Sequence, residues 1–566
     1  MRTRVFACAT LAIYLTNAIF TACVPSLEAL EGFACAANKT CPPSFSCVEN
    51  RCMLAKEGGA SSSDAPNKAT IAVTPTQGLT TTELGGTATF TVTLSAQPTA
   101  DVAMSIASSD IAEATVSPTS LVFTSSNWNV PQTITATGLY DGLDDGDRAI
   151  TIDFSAATST DATFNGVTGP SVSLTNQDKA AIGRVSVSSS GAQGAGHSGG
   201  VSEVSITLGI PRISSDARYV AFASDATNFS ADTNGQADVF IHDRTTRTTT
   251  IVSLAGDVSG NGASTRPVMS ADGRYVAFTS AATNFPGNKA GCYLRDVQVS
   301  GTLTGALTQI ADDPSCTPHD ISSDGRYVLY TQRSAADTLL KRFDRQSTSS
   351  ITLISTGSQD YATMSDDGRW VSFRTSASLD AADTNGKSDT YLIDVNVAAY
   401  PAVRTSLHPT SSGSGQLANG ADPGNAISAD GSYFVFATED PLTSSDRDTT
   451  SDLYVVSRAT GRSSTNLVSW MTASGKASRP DISADGRYVA FEFEPTGLPT
   501  EVWVYDRVTT ALTNQSKTYT DGKPDSHVAF PSISGSGTWL TFAALATNLV
   551  PNDTNGKFDV FVAPRR

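Results

Sequence analysis

The side chains whose types and spacing could do chemistry are mostly carboxylates. Asp232, Asn234 and Asp238 stand in Asp-Thr-Asn-Gly-x-x-Asp, and the same spacing returns at Asp383, Asn385 and Asp389 and at Asp553, Asn555 and Asp559. A degenerate copy runs from Asp446 to Asp452. Oxygen ligands around a glycine turn suit Ca²⁺, a hard cation that collects many oxygens. Asn-Gly is also a good turn between two strands, and the loop lacks the bidentate Glu of an EF-hand. Both readings stand. A second acidic group, Asp141, Asp144, Asp145 and Asp147, crowds YDGLDDGDR. Such carboxylates repel unless they are solvated or share a cation, so calcium and a solvated loop are both open. Calcium is the one cofactor the residues suggest, and none is required.

Nucleophile chemistry has less support. Gly196-His-Ser-Gly-Gly200 fits G-x-S-x-G, but that elbow needs a strand before the Ser and a helix after it. The flanks are Gly- and Ser-rich, and a loop is expected. The five histidines, His197, His242, His319, His408 and His527, follow no ligand spacing. The Asp in each S-x-D-G turn recurs at 216, 272, 324, 367, 430 and 485. A general acid or base works in one tuned place, so a residue repeated this often is structural. The same holds for Asp243, Asp296, Asp344, Asp394 and Asp506. No catalytic residue is identified.

The elements that carry these residues form a repeat. Ile482-Ser-Ala-Asp-Gly-Arg-Tyr-Val-Ala-Phe491 has relatives starting at Ile213, Met269, Ile321, Met364, Ile427 and Ile533. Each gives a short strand, an Asp-Gly turn and an apolar run that suits a buried strand. A third strand follows, as in Asp238–Asp243 and Val502–Asp506, then a weaker fourth, as in Thr249–Ser253. Units of this length with four antiparallel strands are propeller blades. The seventh unit lacks a fourth strand, and residues 182–188 resemble fourth strands elsewhere. They are expected to pair antiparallel to 558–562 and close the ring.

Residues 69–180 read as a β-sandwich. Thr87–Leu94, Asp101–Ile106, Gln132–Ala136 and Ala149–Phe154 alternate polar and apolar residues. The fold class is therefore all-β: a seven-bladed propeller over 181–566 closed by its N-terminal strand, behind an N-terminal sandwich.

The chain begins with an export pattern over residues 1–22. Arg2 and Arg4 precede an apolar stretch from Val5 to Phe20, too short for a confident membrane span. Residues 23–68 are a Cys-rich segment and a polar linker. Cys35, Cys41, Cys47 and Cys52 read as two disulfides of open connectivity, and the absence of a C-x-x-C pair argues against zinc. Cys292 and Cys316 either pair within or between neighbouring blades or stay as buried thiols. The formal net charge of −17 argues against nucleic acid as a partner.

Three resemblances go further. The strings S-x-D-G-R-Y-V-A-F, A-T-N-F/L and D-T-N-G-x-x-D-V-F resemble the TolB-like, WD-repeat-like propellers of bacterial envelope proteins. That resemblance implies a non-enzymatic binding or scaffolding role with protein or glycan partners in the envelope. Its alternative is a propeller lyase or glycoside hydrolase with unique His, Arg, Tyr or carboxylate residues on channel-facing strands. SPTSLVFTSSNWNVPQTITATG resembles bacterial Ig-like or Calx-β-like domains, which allows a calcium role. Thr21-Ala-Cys23 resembles a lipoprotein signal. It implies lipidation at Cys23, membrane attachment through that anchor alone, and an outer-membrane or cell-surface location; the alternative is ordinary export to the periplasm or beyond, with Cys23 cleaved off or left as a bystander.

Overall fold

The computed structural model describes residues 45–48, 51–54 and 69–566, except 84, 140–145, 179–181, 202–206, 230–231, 233, 257, 298–304, 335–336, 408–415, 445, 447–448, 460 and 469–473. Every regular element among the described residues is a strand. Cys23, Cys35, Cys41, Asp141, Asp144, Asp145 and His408 lie outside them. Cys47 and Cys52 sit opposite each other in a short hairpin, Phe45–Val48 against Arg51–Leu54.

Residues 69–178 fold into two sheets over one core. One sheet holds Ile71–Thr74, Thr87–Leu94, Gln132–Gly138 and Ala114–Ser117; the other holds Leu79–Thr82, Val172–Gln177, Arg148–Phe154, Val102–Ser108 and Ser120–Phe123. Alternation along Thr87–Leu94 places Phe90, Val92 and Leu94 inward, where they meet Phe123, Ile134 and Ile152. Period-two patterning thus separates a buried face from a wet one.

From residue 182 on, seven four-stranded antiparallel sheets follow one another. The first comprises Arg212–Ile213, Tyr219–Ser224, Asp238–Asp243 and Thr248–Ile251. The first strands of the next six are Ser264–Met269, Thr317–Ile321, Gln359–Met364, Asp422–Ile427, Gly475–Ile482 and Val528–Ile533. These first strands line a shared central cavity. Second strands such as Tyr219–Ser224 are buried throughout, because sheets cover both of their faces.

The seventh sheet takes its outer strand from the start of this region. Gly183 pairs with Val562 and Arg184 with Phe561, antiparallel. The ladder is shorter than the span 182–188 suggested, and Ser186 is the reason. The Val560 amide donates to the Ser186 hydroxyl at 3.0 Å, so a side chain takes over from the backbone. Ser253 does the same for Val239 at 3.1 Å and Ser406 for Thr390 at 2.9 Å. One serine therefore ends the outer strand in several sheets.

Each S-x-D-G-R turn, and its Asp-Ala counterpart in the first sheet, is a hydrogen-bonded unit. In the first sheet Ser214 donates to Asp216 at 2.6 Å, and the Arg218 amide donates to the same oxygen at 3.0 Å. The Arg218 side chain then forks onto Asp243 at the end of the third strand, at 3.0 and 2.7 Å. The fork recurs as Arg274–Asp296, Arg326–Asp344, Arg369–Asp394 and Arg487–Asp506. The repeated Asp residues are thus architectural.

Candidate functional site

The central cavity has a volume of about 590 Å³, within the range of ligand pockets. Its lining departs from the repeat. Three residues before each repeat's Ile or Met stand Ile210, Arg266, Pro318, Tyr361, Gly424, Arg479 and Phe530. Arg266, Tyr361, Arg479 and Phe530 hold left-handed backbone, with φ of 55°, 48°, 47° and 60°. Each sits where the register of its first strand slips against the second. Such a bulge re-aims a side chain, and the conformation costs a non-glycine residue roughly 1 kcal/mol or more. The four side chains form part of the cavity wall.

One position before the Ile or Met, two aspartates do a different job. Asp320 accepts from the amides of Ile321 at 2.8 Å and Met364 at 2.7 Å and from the Thr363 hydroxyl at 2.9 Å. Asp481 accepts from Ile482 at 3.0 Å and Ile533 at 2.8 Å. Each staples one first strand to the next. Burial raises the Asp320 carboxyl, and Arg212 pulls it back. Asp360 is ion-paired with Arg374 at 2.9 Å. Arg479 reaches Glu492 at 2.6 Å and lies 4.9 Å from the Phe530 ring centre.

His319 is the cavity's histidine. Its Nε2 lies 2.8 Å from the Thr331 hydroxyl. Burial, aided by Arg266 and Arg212, pushes its pKa down to about 4, so the ring is neutral at pH 7. Arg266 donates to the Thr317 hydroxyl at 3.1 Å, and the buried Nε of Arg212 has no hydrogen-bond partner. Sequence reasoning missed Arg212, Arg266, His319, Tyr361, Arg479 and Phe530. These positions change residue type from repeat to repeat, and so do their neighbours in the first strand, so no sequence signal singled them out.

The Asp-Thr-Asn-Gly copies are placed alike but partnered differently. The Asn234 carbonyl accepts the Gln236 amide, and its side-chain NH₂ donates to Asp238 at 3.1 Å. Asn555 repeats this with Lys557 at 2.8 Å and Asp559 at 3.0 Å. The Asn385 carbonyl takes Lys387 at 2.9 Å and its NH₂ goes to the Leu417 carbonyl at 2.8 Å, as Asn234 and Asn555 also donate to the Gly260 and Gly194 carbonyls at 2.6 and 3.0 Å. In the fourth sheet Arg404 stands 3.5 Å from Asp389 and 3.9 Å from Asp383. In the seventh, Arg184 stands 3.7 Å from Asp559 and 3.6 Å from Asp553. The first sheet has Ile251 opposite Phe240, where these two have arginine. No group of three or more His, Cys, Asp or Glu is arranged around a metal position among the described residues. Asp147 accepts the Asp178 amide at 3.1 Å.

Ser198 is buried, its hydroxyl donates to Ser224 at 2.8 Å, and a strand, Gly200–Val201, follows it. Cys292 and Cys316 form a disulfide with a Cα–Cα distance of 5.7 Å. It ties the third strand of the second sheet to the entry of the third sheet.

No family model and no curated protein matches the chain. Solved structures do. The β-propeller domain of the Trilobed protease from Pyrococcus furiosus matches at 12% identity and TM-score 0.42, covering 63% of this chain and 94% of that one. TolB from Acinetobacter baumannii matches at 14% and 0.33, covering 62% and 80%. Oligogalacturonate lyase from Vibrio parahaemolyticus matches at 13% and 0.41, covering 63% and 89%. These are distant likenesses among propellers of unlike activity. The chain's own repeating sheets and their shared cavity carry the architecture here.

Proposed function

We propose that this is a non-enzymatic binding protein of the bacterial envelope, with the mouth of the central cavity as its ligand site. In this reading the seven sheets are the blades of a closed propeller, and residues 69–180 are an Ig-like or Calx-β-like sandwich that holds it away from the membrane. The observation that carries the reading is the row of left-handed residues, Arg266, Tyr361, Arg479 and Phe530. Backbone strain persists where the surrounding structure enforces it, and a wall of arginine and aromatic side chains is a recognition surface. The ligand is a protein segment or a glycan. Incubating the full chain with glycan and peptide arrays tests this. Retention without turnover, lost in Tyr361→Ala and Phe530→Ala, is the expected result. Retention indifferent to both variants would move the site elsewhere.

A lyase or hydrolase is the second reading, and one observation favours it. His319, Arg266 and Tyr361 break the repeat on cavity-facing strands, and the neutral His319 ring could take a proton. Turnover on the same arrays, abolished in His319→Ala, would establish it.

The attachment we propose is a lipid on Cys23, with export through residues 1–22. Wild-type protein should incorporate labelled fatty acid and sediment with membranes, and Cys23→Ser should do neither. Unlabelled, soluble wild type would refute it.

A further inference from the structure

The geometry points to an oxyanion subsite in the central cavity, where Arg212 and Arg266, beside His319, receive a carboxylate or phosphate group of a small ligand. This rests on the cavity reading above and adds the chemistry of its ligand.

Charge is unevenly satisfied along the cavity wall. The cavity wall includes Arg212, Arg266 and Arg479, and against them Asp320, Asp360, Asp366 and Asp481. Asp320 and Asp481 are saturated by backbone amides, and Asp360 is held by Arg374. Arg479 is matched by Glu492. Asp366 lies in the turn after the repeat's Met364. That leaves Arg212 and Arg266. Neither is within ion-pair distance of a carboxylate among the described residues, although Asp320 is close enough to Arg212 to be stabilised by it.

Arg212 is half-buried, with its Nε buried and lacking a hydrogen-bond partner, and an unpaired buried donor is costly; Arg266 is exposed to the cavity solvent. Arg266 stands in left-handed backbone at the bulge of its first strand, and its side chain lines the cavity. Arg212, Arg266 and His319 line the same cavity, and Arg266 bonds the Thr317 hydroxyl, two residues before His319. With Nε2 engaged by Thr331, His319 keeps Nδ1 available as a neutral partner. A fork of N–H donors matches a planar carboxylate or a phosphate, and the low dielectric of a cavity strengthens it. Tyr361 and Phe530, on the same rim, offer ring faces to the ligand's carbon skeleton.

The test is calorimetric titration of the full chain with inorganic phosphate, with tartrate, and with threitol, in which tartrate's carboxylates are replaced by hydroxymethyl groups. Phosphate or tartrate should bind while threitol stays silent. Which anion binds tighter assigns the ligand's group. Arg212→Gln and Arg266→Gln should each weaken binding roughly tenfold or more. Arg274→Gln, which breaks an exposed turn pair elsewhere, should leave it unchanged. If the cavity variants unfold, phenylglyoxal labelling of the wild type decides. Tartrate or phosphate should protect Arg212 and Arg266 but not Arg274. Absence of binding by both anions, equal binding of threitol, or no protection overturns the proposal. Retention on the arrays that survives Arg212→Gln would leave the cavity as a binding site and remove only the anion.

Discussion

Arg244 lies over the indole of Trp539, its guanidinium carbon 4.0 Å from the ring centre. Arg244 follows the third strand of the first sheet, and Trp539 opens the second strand of the last. The same stacking joins consecutive sheets elsewhere. Arg345 covers Tyr275 at 4.2 Å, Arg458 covers Trp370 at 4.1 Å, Arg507 covers Tyr433 at 3.7 Å and Arg565 covers Tyr488 at 3.7 Å. A cation over an aromatic face, with its stem desolvated, contributes about 1–2 kcal/mol. Arg244–Trp539 is the copy that joins the two ends of the ring.

Its loss should therefore act on the whole propeller. Trp539→Ala or Arg244→Ala is expected to lower stability by roughly 2–4 kcal/mol in urea melts, with the propeller still unfolding in one step. Deleting residues 182–188 should do the same from the other side, since Gly183 and Arg184 complete the last sheet. Fraying of the seventh sheet alone, with the other six retaining their protection in hydrogen exchange, would contradict a closed ring.

The turn glycines show why the repeat reads Asp-Gly. Gly325 has φ 67°, and a Cβ there would lie 2.1 Å from the Tyr275 ring of the preceding sheet. Gly431 meets Trp370 in the same way at 2.5 Å. The first sheet carries Ala217 at this position, with φ 62°. Ala217→Gly should stabilise the protein by about 1 kcal/mol, and Gly325→Ala should cost more than that. Paired thermal melts decide the signs. An Ala217→Gly variant that melts lower would show that the alanine methyl contributes more by packing than its backbone costs.

The disulfide is a strap between neighbouring sheets. Cys292 and Cys316 are both buried and 24 residues apart. Closing a loop of that size in the unfolded chain contributes on the order of 3 kcal/mol. The double variant Cys292→Ser, Cys316→Ser should melt lower by that amount under non-reducing conditions. It should match the reduced wild type within the cost of two buried hydroxyls.

These features were unequally legible in the sequence. The turn, the second strand and the third strand each carry a fixed local demand: a left-handed turn residue, two buried faces, a carboxylate for the turn arginine. They repeat as residue types. The cavity wall carries no such demand. Arg266, Tyr361, Gly424, Arg479 and Phe530 share a backbone position and nothing else, so only the strand register aligns them. The outer strands were half legible. The serine that ends several of them is constant, whereas the residue two positions before it varies from Arg184 to Ile251.

The Asp-Thr-Asn-Gly loops give the last prediction, because three copies of one motif have different partners. Arg404 and Arg184 stand where a cation would neutralise the fourth and seventh copies. In the first copy burial, with Asp232 adding to it, pushes Asp238 up to about 6. A carboxyl whose pKa is higher folded than unfolded favours the protonated native state. Its contribution is greatest below the unfolded value near 4 and is lost as pH rises through about 6. Wild-type stability should therefore fall between pH 4 and 6 by on the order of 2 kcal/mol more than that of Asp238→Asn. Urea melts at the two pH values measure the difference. Calcium bears on the same carboxylates. At neutral pH chelator is expected to leave the melting temperature unchanged, because arginines occupy two copies and the asparagine NH₂, not its carbonyl, faces Asp238 in the first. A rise in melting temperature with millimolar calcium that Asp232→Asn removes would overturn this and assign a metal to the first sheet alone.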